Sequence, residues 1–213
     1  MDIPLIPSTD GPSGGAAAIQ AMAAGLAAED WVCCPDFLDA RRIAALRQEA
    51  EALHKVGRFH PAGIGHTAER HAGIRGDDIH WVETQAPLAM ALQQQEFTLL
   101  REAFNSMLYL GLQDFEGHYA AYPTGAGYAR HLDRLRSDDR RVVSLVLYLN
   151  DEWDPEDGGE LCLYSEEGEA QPAARVTPRG GTLVCFLSAQ VPHEVMATRR
   201  TRWSFSGWFR RRA

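Results

Sequence analysis

Two histidines and one aspartate stand at spacings that could bring three metal ligands together. His131 and Asp133 are separated by one residue, so in an extended strand both side chains point to the same face. His193 follows a predicted strand that ends at Leu187, and a neighbouring strand could deliver its imidazole beside the first pair. Two histidines and one carboxylate leave coordination positions open, which suits a non-haem Fe(II) centre better than a closed zinc site. The pattern therefore predicts a metal site.

An arginine on a later strand predicts a second part of the same site. Arg202 begins the run that ends at Trp208, and positions 202, 204, 206 and 208 share one face of that strand. A buried arginine is costly unless a carboxylate pairs with it, and no acidic residue stands on this strand. The missing partner can be a substrate such as 2-oxoglutarate, which chelates iron through its keto acid and carries a second, distal carboxylate. The Tyr148 phenol, at the end of another strand, could share that carboxylate.

The elements that must position these residues change in character along the chain. Before Gly111, apolar residues recur three and four apart in two predicted helices, one capped by Asp39 and one with Pro87 in its first turn. After Gly111, short β-type runs are divided by Gly, Pro and Asp. These runs are 115–122, 142–149, 160–164, 181–187 and 203–209, and a further strand is expected within 74–82. The order predicts a mainly β fold with supporting helices, such as a sandwich or jelly roll.

The domain organisation follows from the same patterns. Residues 1–28 are expected to be a partly flexible N-terminal extension, in which the alanine-rich part could form a helix but offers little to bury. Residues 29–213 are expected to form a single domain, with helical support over 36–110 and a β core over 113–209. The turn-rich stretch 57–73 is expected to be a loop.

Composition and charge argue against several functional classes. The 21 basic and 29 acidic residues give a net charge of −8, which disfavours nucleic acid as a partner. No apolar stretch approaches the roughly 18 residues that span a bilayer, and Asp2 with no early basic residue argues against a secretory signal. The four cysteines lack the spacing of a metal or disulfide motif. We therefore expect a cytoplasmic protein with free, buried thiols and no membrane partner.

Several motifs together resemble the 2-oxoglutarate- and Fe(II)-dependent oxygenases. In chain order they are Tyr122-Pro123, Gly127 to Asp133, Tyr148-Leu149-Asn150, Trp153, Gly158-Gly159, Pro192 to Val195 and Arg202 to Trp208. Within that superfamily the chain is most similar to prolyl hydroxylases of the oxygen-sensing type and their bacterial relatives, because Ile74 to Trp81 also matches that subgroup. The resemblance covers residues 36–209 and implies a double-stranded β-helix, the cupin-like jelly roll.

The resemblance also implies roles for the residues of the central site. His131, Asp133 and His193 would bind Fe(II). Arg202 and Tyr148 would bind the distal carboxylate of 2-oxoglutarate.

Five further residues are matched around that centre. Tyr122 would lie near the iron-binding end of the cosubstrate, and Ser206 and Trp208 would line the same pocket. Asp77 and Arg141 would form a salt bridge beside the entrance and hold a substrate loop. The remaining histidines are expected to be solvated or internally satisfied; they are residues 54, 60, 66, 71, 80 and 118.

The implied reaction couples oxidative decarboxylation of 2-oxoglutarate, giving succinate and CO₂, to hydroxylation of a prolyl residue in a protein. It requires Fe(II), 2-oxoglutarate and O₂, with ascorbate as a candidate accessory cofactor, in a monomer or weak dimer. The same site residues would equally support an oxygenase acting on a free small molecule. A non-catalytic metal-binding jelly roll is a third alternative, which Arg202 and Tyr148 disfavour because a bare metal site has no use for a distal cation.

Overall fold

The computed structural model describes residues 15–63, 74–82, 85–134 and 139–212, in which four α-helices and eleven strands are found. The helices are Ala16–Glu29 (α1), Ala40–Lys55 (α2), Pro87–Leu92 (α3) and Thr98–Leu108 (α4), with a π-helical segment Gln93–Phe97 between α3 and α4. The strands are Trp31–Cys34 (β1), His60–Pro61 (β2), Asp78–Trp81 (β3), Asp114–Tyr122 (β4), Tyr128–His131 (β5), Arg141–Tyr148 (β6), Leu161–Leu163 (β7), Ala174–Val176 (β8), Leu183–Leu187 (β9), His193–Val195 (β10) and Arg202–Arg210 (β11).

Within the described ranges the strands form two antiparallel sheets. The major sheet has the order β1-β9-β6-β11-β4-β3-β2, and the minor sheet has the order β5-β10-β7-β8. Neighbours in space are mostly not neighbours in sequence, because the chain crosses repeatedly from one sheet to the other. The predicted mainly β jelly roll is confirmed.

The alternation of side chains along the central strands divides the molecule into layers. On β6, Val143, Leu145 and Leu147 join the helix-side core, whereas Ser144 and Tyr148 face the minor sheet side. Strand β11 alternates in the same way: Trp203, Phe205 and Phe209 pack into the helix-side core, and residues 202, 204, 206 and 208 line a cavity on the other face. The face predicted for Arg202 is therefore the inner face of the jelly roll.

The two predicted helices form where the apolar spacing places them. Helix α2 buries Ile43, Leu46, Ala50 and Leu53, and the Asp39 carboxylate accepts a hydrogen bond from the Arg42 amide at 2.9 Å. The second helix begins at Pro87 as predicted but is divided by the π-helical segment. Both pack their apolar faces against the outer side of the major sheet.

The expectation that residues 16–28 offer little to bury is wrong. In helix α1, Ala18, Met22, Ala23 and Leu26 lie in the same core as the major sheet. Small residues permit close approach: a Cβ added at Gly25 would lie 2.8 Å from Val32 Cγ2 of β1. The alanine-rich composition therefore serves tight helix–sheet packing. Residues 1–14 of the predicted extension lie outside the described residues.

The predicted loop 57–73 lies partly outside the described ranges. The stretch 57–73 contains the short strand β2, and its residues 64–73 lie outside the described ranges, as do residues 135–138. All four cysteines are buried and free, as predicted. Among the described residues, no helix is both long and apolar enough to cross a bilayer.

Candidate active site

Two strands of the minor sheet bring His131, Asp133 and His193 together. His131 ends β5 and His193 begins β10, and the two residues are directly paired in the antiparallel register. Asp133 follows β5, with Oδ1 3.5 Å from His131 Nε2 and Oδ2 3.6 Å from His193 Nε2. One ligand atom from each residue lies within 4.8 Å of the other two, so a single metal ion could be bound by all three.

Backbone carbonyls orient both imidazoles. His131 Nδ1 lies 2.8 Å from the Ala129 carbonyl oxygen, and His193 Nδ1 lies 3.1 Å from that of Val191. Because a carbonyl only accepts, each Nδ1 carries the proton, and each Nε2 keeps its lone pair toward Asp133. Burial lowers the pKa of His193 to about 4, with a further contribution from His131. The donor set therefore fits a divalent cation.

The carboxylate of Asp133 is held from the opposite sheet. Ser144, on β6, donates a hydrogen bond from Oγ to Asp133 Oδ2 at 2.6 Å, and its Oγ is 2.9 Å from that of Ser188. Burial alone would raise the Asp133 pKa, but His193, His131 and the Ser144 hydroxyl outweigh it and hold that pKa well below its ordinary value. Asp133 is thus an anion aimed at the two imidazoles.

Arg202 is the most enclosed charge on the inner face, with 1% of its surface exposed. Its Nε donates to the Gly159 carbonyl at 2.9 Å, and its Cζ lies 5.0 Å from the ring centroids of both Tyr122 and Tyr148. No described carboxylate lies within ion-pair distance of it. The nearby Tyr148 hydroxyl is buried and makes no hydrogen bond to the described residues. A guanidinium without an anion beside an unused hydroxyl could bind a carboxylate ligand.

The glycines before β7 make room for this arginine. Gly159 has φ +71°, and a Cβ there would lie 3.1 Å from Arg202 Cδ and 3.1 Å from Thr198 Cβ. A side chain at this position would therefore be strained and would crowd the guanidinium stem.

One cavity joins the metal-ligand cluster to Arg202. It lies between the two sheets, with Tyr122, Ser206 and Trp208 among its lining residues. Their expected roles toward the cosubstrate stay predictions.

A second, adjoining cavity opens outward from the metal-ligand cluster. Its wall contains Trp81, His118 and Trp208, and the His118 ring centroid lies 4.9 Å from that of Trp81 and 5.4 Å from that of Trp208. His118 is 3% exposed, and its Nδ1 has no partner among the described residues. Burial, reinforced by Arg75 and Arg141, lowers its pKa to about 3, so the ring is neutral. The expectation of a solvated or satisfied histidine is wrong here, because distance along the chain hides its place in the wall.

The other non-ligand histidines have varied surroundings. His54 contacts the rings of Phe59 and Trp203, and His80 Nδ1 donates to the Arg58 carbonyl. His60 lies at the rim of the outer cavity. His66 and His71 lie outside the described residues.

The predicted salt bridge between Asp77 and Arg141 is not formed. Asp77 accepts two hydrogen bonds from Arg75, at 2.7 Å to Nε and 3.0 Å to Nη2. Arg141 instead donates from Nε to Glu116 at 3.0 Å, and its Cζ lies 3.5 Å from the Trp208 ring centroid. Each partner thus has a nearer opposite charge. The sequence indicates no role for Arg75, Glu116 or Ser144, since a single polar residue in an extended segment carries no signal of its own.

Comparison with known proteins agrees with this geometry. Residues 117–210 match the model of the 2OG-Fe(II) oxygenase superfamily. The chain is similar to a prolyl-4-hydroxylase from Pseudomonas putida, with 43% identity and a TM-score of 0.81 over 92% of this chain and all of that one. It is also similar to a prolyl hydroxylase from Trichoplax adhaerens solved with a hypoxia inducible factor peptide, with 26% identity and a TM-score of 0.80 over 89% and 87% of the two chains.

A curated human relative, Egl nine homolog 1, is 30% identical over 186 residues, which cover 82% of this chain and 42% of the relative. The chain spans about half the length of that relative and its mouse and rat counterparts. With the matched superfamily model and the 43% identity to the bacterial enzyme over its whole length, this chain belongs to the 2OG-Fe(II) oxygenase superfamily, whose members use Fe(II), 2-oxoglutarate and O₂, and it resembles the prolyl hydroxylases within it.

Proposed function

We propose that this chain hydroxylates a prolyl residue of a polypeptide in a reaction dependent on Fe(II), 2-oxoglutarate and O₂. The observation that carries the proposal is the single cavity that contains both the His131, Asp133, His193 cluster and the anion-free Arg202. A metal-binding protein without a carboxylate cosubstrate would have no use for a buried guanidinium in the same cavity as the ligands.

In this assignment, the Nε2 atoms of His131 and His193 and the Asp133 carboxylate would hold Fe(II), and three protein ligands would leave coordination positions for the cosubstrate and O₂. When bound, Fe(II) and 2-oxoglutarate supply the activation of O₂, and the cosubstrate gives up two electrons on conversion to succinate and CO₂. One oxygen atom of O₂ enters succinate and the other enters the prolyl C–H bond, so the atoms balance.

Arg202 and Tyr148 would fix the far end of the cosubstrate. The Arg202 terminal nitrogens can donate two parallel hydrogen bonds to a carboxylate, and the unused Tyr148 hydroxyl can donate a third. Burial raises the Tyr148 pKa, with Arg202 opposing it, so the phenol keeps the proton that it would donate. The apolar residues between the sheets would limit the access of water to the cosubstrate.

A polypeptide substrate is supported by the outer cavity. Its wall contains the partly exposed Trp81 ring, an apolar surface against which a proline ring can pack. A prolyl residue has no N–H and presents only carbonyl acceptors, and the Arg141 guanidinium at the same wall is a donor. The named relatives include a prolyl hydroxylase solved with a peptide, which supports the same substrate class.

We further propose that the catalytic domain begins no later than Ala16, since α1 shares the core of the major sheet. The predicted boundary at residue 29 would remove that helix.

The experiment that tests the proposed function traces labelled oxygen from O₂ into the hydroxylated product. The purified chain is incubated with Fe(II), 2-oxoglutarate and ¹⁸O₂ in a lysate of the cell it comes from, and tryptic peptides are searched for labelled hydroxyproline. We expect label in proline of at least one protein with the wild-type chain, and none with Asp133→Ala. Label only in a free metabolite would overturn the polypeptide assignment, and unchanged succinate release by Asp133→Ala would overturn the metal-ligand assignment.

A further inference from the structure

We propose that Asp77, Arg75 and Tyr128 form a support that positions the His131 imidazole for metal binding. The inference rests on the proposed metal role of His131. In this proposal Asp77 supports a metal ligand, whereas its expected pairing with Arg141 implied that it holds a substrate loop.

The support begins at a buried carboxylate. Asp77 is 2% exposed, and both of its oxygens accept hydrogen bonds from the Arg75 guanidinium. A bidentate pair of this kind fixes the plane of the guanidinium as well as its position. Arg75 is itself largely buried, with 13% of its side chain exposed, so its charge depends on Asp77 for compensation.

Two stacking contacts connect the Arg75 guanidinium to the candidate metal ligand His131. Arg75 Cζ lies 4.8 Å from the Tyr128 ring centroid. The Tyr128 ring in turn stacks on His131, with ring centroids 3.7 Å apart and planes inclined by 19°. The imidazole is thus confined between the Tyr128 face and the Ala129 carbonyl that receives its Nδ1 proton.

Backbone hydrogen bonds also connect the segment that carries Arg75 to strand β5, which carries His131. Among the described strands, β5 lies at one edge of the minor sheet and pairs there with β10 alone. Its pairing with β10 is irregular, with a register shift between His193 and Val195. On its open side β5 is held by the segment that carries Arg75, through an Ala129 amide to Ile74 carbonyl bond of 2.8 Å and a Gly76 amide to Gly127 carbonyl bond of 3.0 Å. An edge strand with this little pairing needs side-chain contacts to keep a ligand in place.

Removing the carboxylate should therefore weaken metal binding in two ways. The guanidinium loses the partner that fixes its plane, so the Tyr128 and His131 stack loosens. The uncompensated Arg75 charge also lines the cavity that holds the metal ligands and repels a divalent cation.

The test measures metal affinity directly, without turnover. Mn(II) is titrated into metal-free full-length protein, and the free ion is followed by its electron paramagnetic resonance signal. We expect Asp77→Asn to raise the Mn(II) dissociation constant by about tenfold, the usual order for residues that support metal ligands. Arg75→Lys should act in the same direction, because lysine keeps the charge but loses the fork and the flat stacking surface.

Asp114→Asn is the matched control. Asp114 and Arg210 form a bidentate pair of the same kind, at 2.8 and 3.1 Å, but Asp114 is exposed and neither residue lines either of the two cavities. We expect its Mn(II) affinity to equal that of the wild type. Two substitutions of Tyr128 test whether its ring or its hydroxyl group supports His131. Tyr128→Phe keeps the stacked ring and Tyr128→Leu removes it, so the Phe variant should bind Mn(II) more tightly than the Leu variant.

A purely structural role for Asp77 would lower the melting temperature of the metal-free protein and leave the Mn(II) dissociation constant unchanged, and that result would overturn the inference. Asp133→Ala in the same titration tests the assignment of the metal site separately from the role of Asp77. If Asp133→Ala bound Mn(II) like the wild type, the metal site itself would be wrongly placed. If Asp133→Ala lost Mn(II) while Asp77→Asn did not, only the support would be refuted.

Discussion

Ser144 on the major sheet donates a 2.6 Å hydrogen bond to Asp133, the carboxylate that follows the edge strand of the minor sheet. The bond crosses between the two sheets and orients the carboxylate toward both imidazoles. It also ties the position of a candidate metal ligand to the register of β6, which lies in the centre of the molecule.

Loss of this hydroxyl should weaken metal binding without unfolding the protein. In Ser144→Ala we expect the Mn(II) dissociation constant to rise by about tenfold, because a carboxylate without its hydrogen-bond donor can rotate away from the imidazoles. Equilibrium dialysis of the metal-free protein would measure it. Ser106→Ala, on the exposed side of α4, serves as the control, and equal affinity in both variants would contradict the orienting role.

Replacing Arg202 should separate cosubstrate binding from metal binding. Arg202→Lys keeps a positive charge but loses the planar fork, so the apparent KM for 2-oxoglutarate should rise about tenfold or more, as expected for a lost hydrogen bond to a charged group worth about 1.5–3 kcal/mol. Succinate release against 2-oxoglutarate concentration gives the KM, and a Mn(II) titration gives metal affinity. A matching loss of metal affinity would indicate a structural arginine.

Helix α1 should contribute measurably to stability. Leu26 is fully buried in the helix-side core, so Leu26→Ala should lower the free energy of unfolding by about 3 kcal/mol. Gln20→Ala changes an exposed position of the same helix and should be nearly neutral. Urea unfolding followed by circular dichroism measures both. Equal stability of the two variants would show that α1 does not belong to the cooperative unit.

The neutral His118 predicts a loss of stability in acid. Its pKa is about 3 in the folded protein against an ordinary value of about 6.5, so between these values the unfolded chain binds the proton and the folded one does not. Stability is therefore lost as the pH falls through this window, by about 2 kcal/mol from pH 7 to pH 5 for this group. His118→Phe keeps a ring between the two tryptophans and should lose that much less stability over the same interval. Urea titrations of metal-free protein at both pH values would check it, and parallel losses in the two proteins would exclude His118 as the source.

The sequence by itself determined the parts of this protein that depend on local spacing. A two-residue period places Arg202, Ser206 and Trp208 on one face of β11, and a spacing of three and four residues defines the buried face of α2. The pair of residues 131 and 133 needs only an extended chain to converge. The predicted strand that ends at Leu187 already indicated His193 as a third candidate ligand, and the motif resemblance added the double-stranded β-helix.

Only the tertiary structure decided the contacts between residues that are far apart in the chain. Asp77 and Arg141 were expected to form a salt bridge with each other. Asp77 instead pairs with Arg75, two residues away in the chain. Arg141 pairs with Glu116, which lies on another strand of the major sheet. The burial of α1 and the place of His118 in the cavity wall were hidden for the same reason. Which opposite charge or apolar surface a residue meets depends on the register and packing of elements that no local pattern encodes.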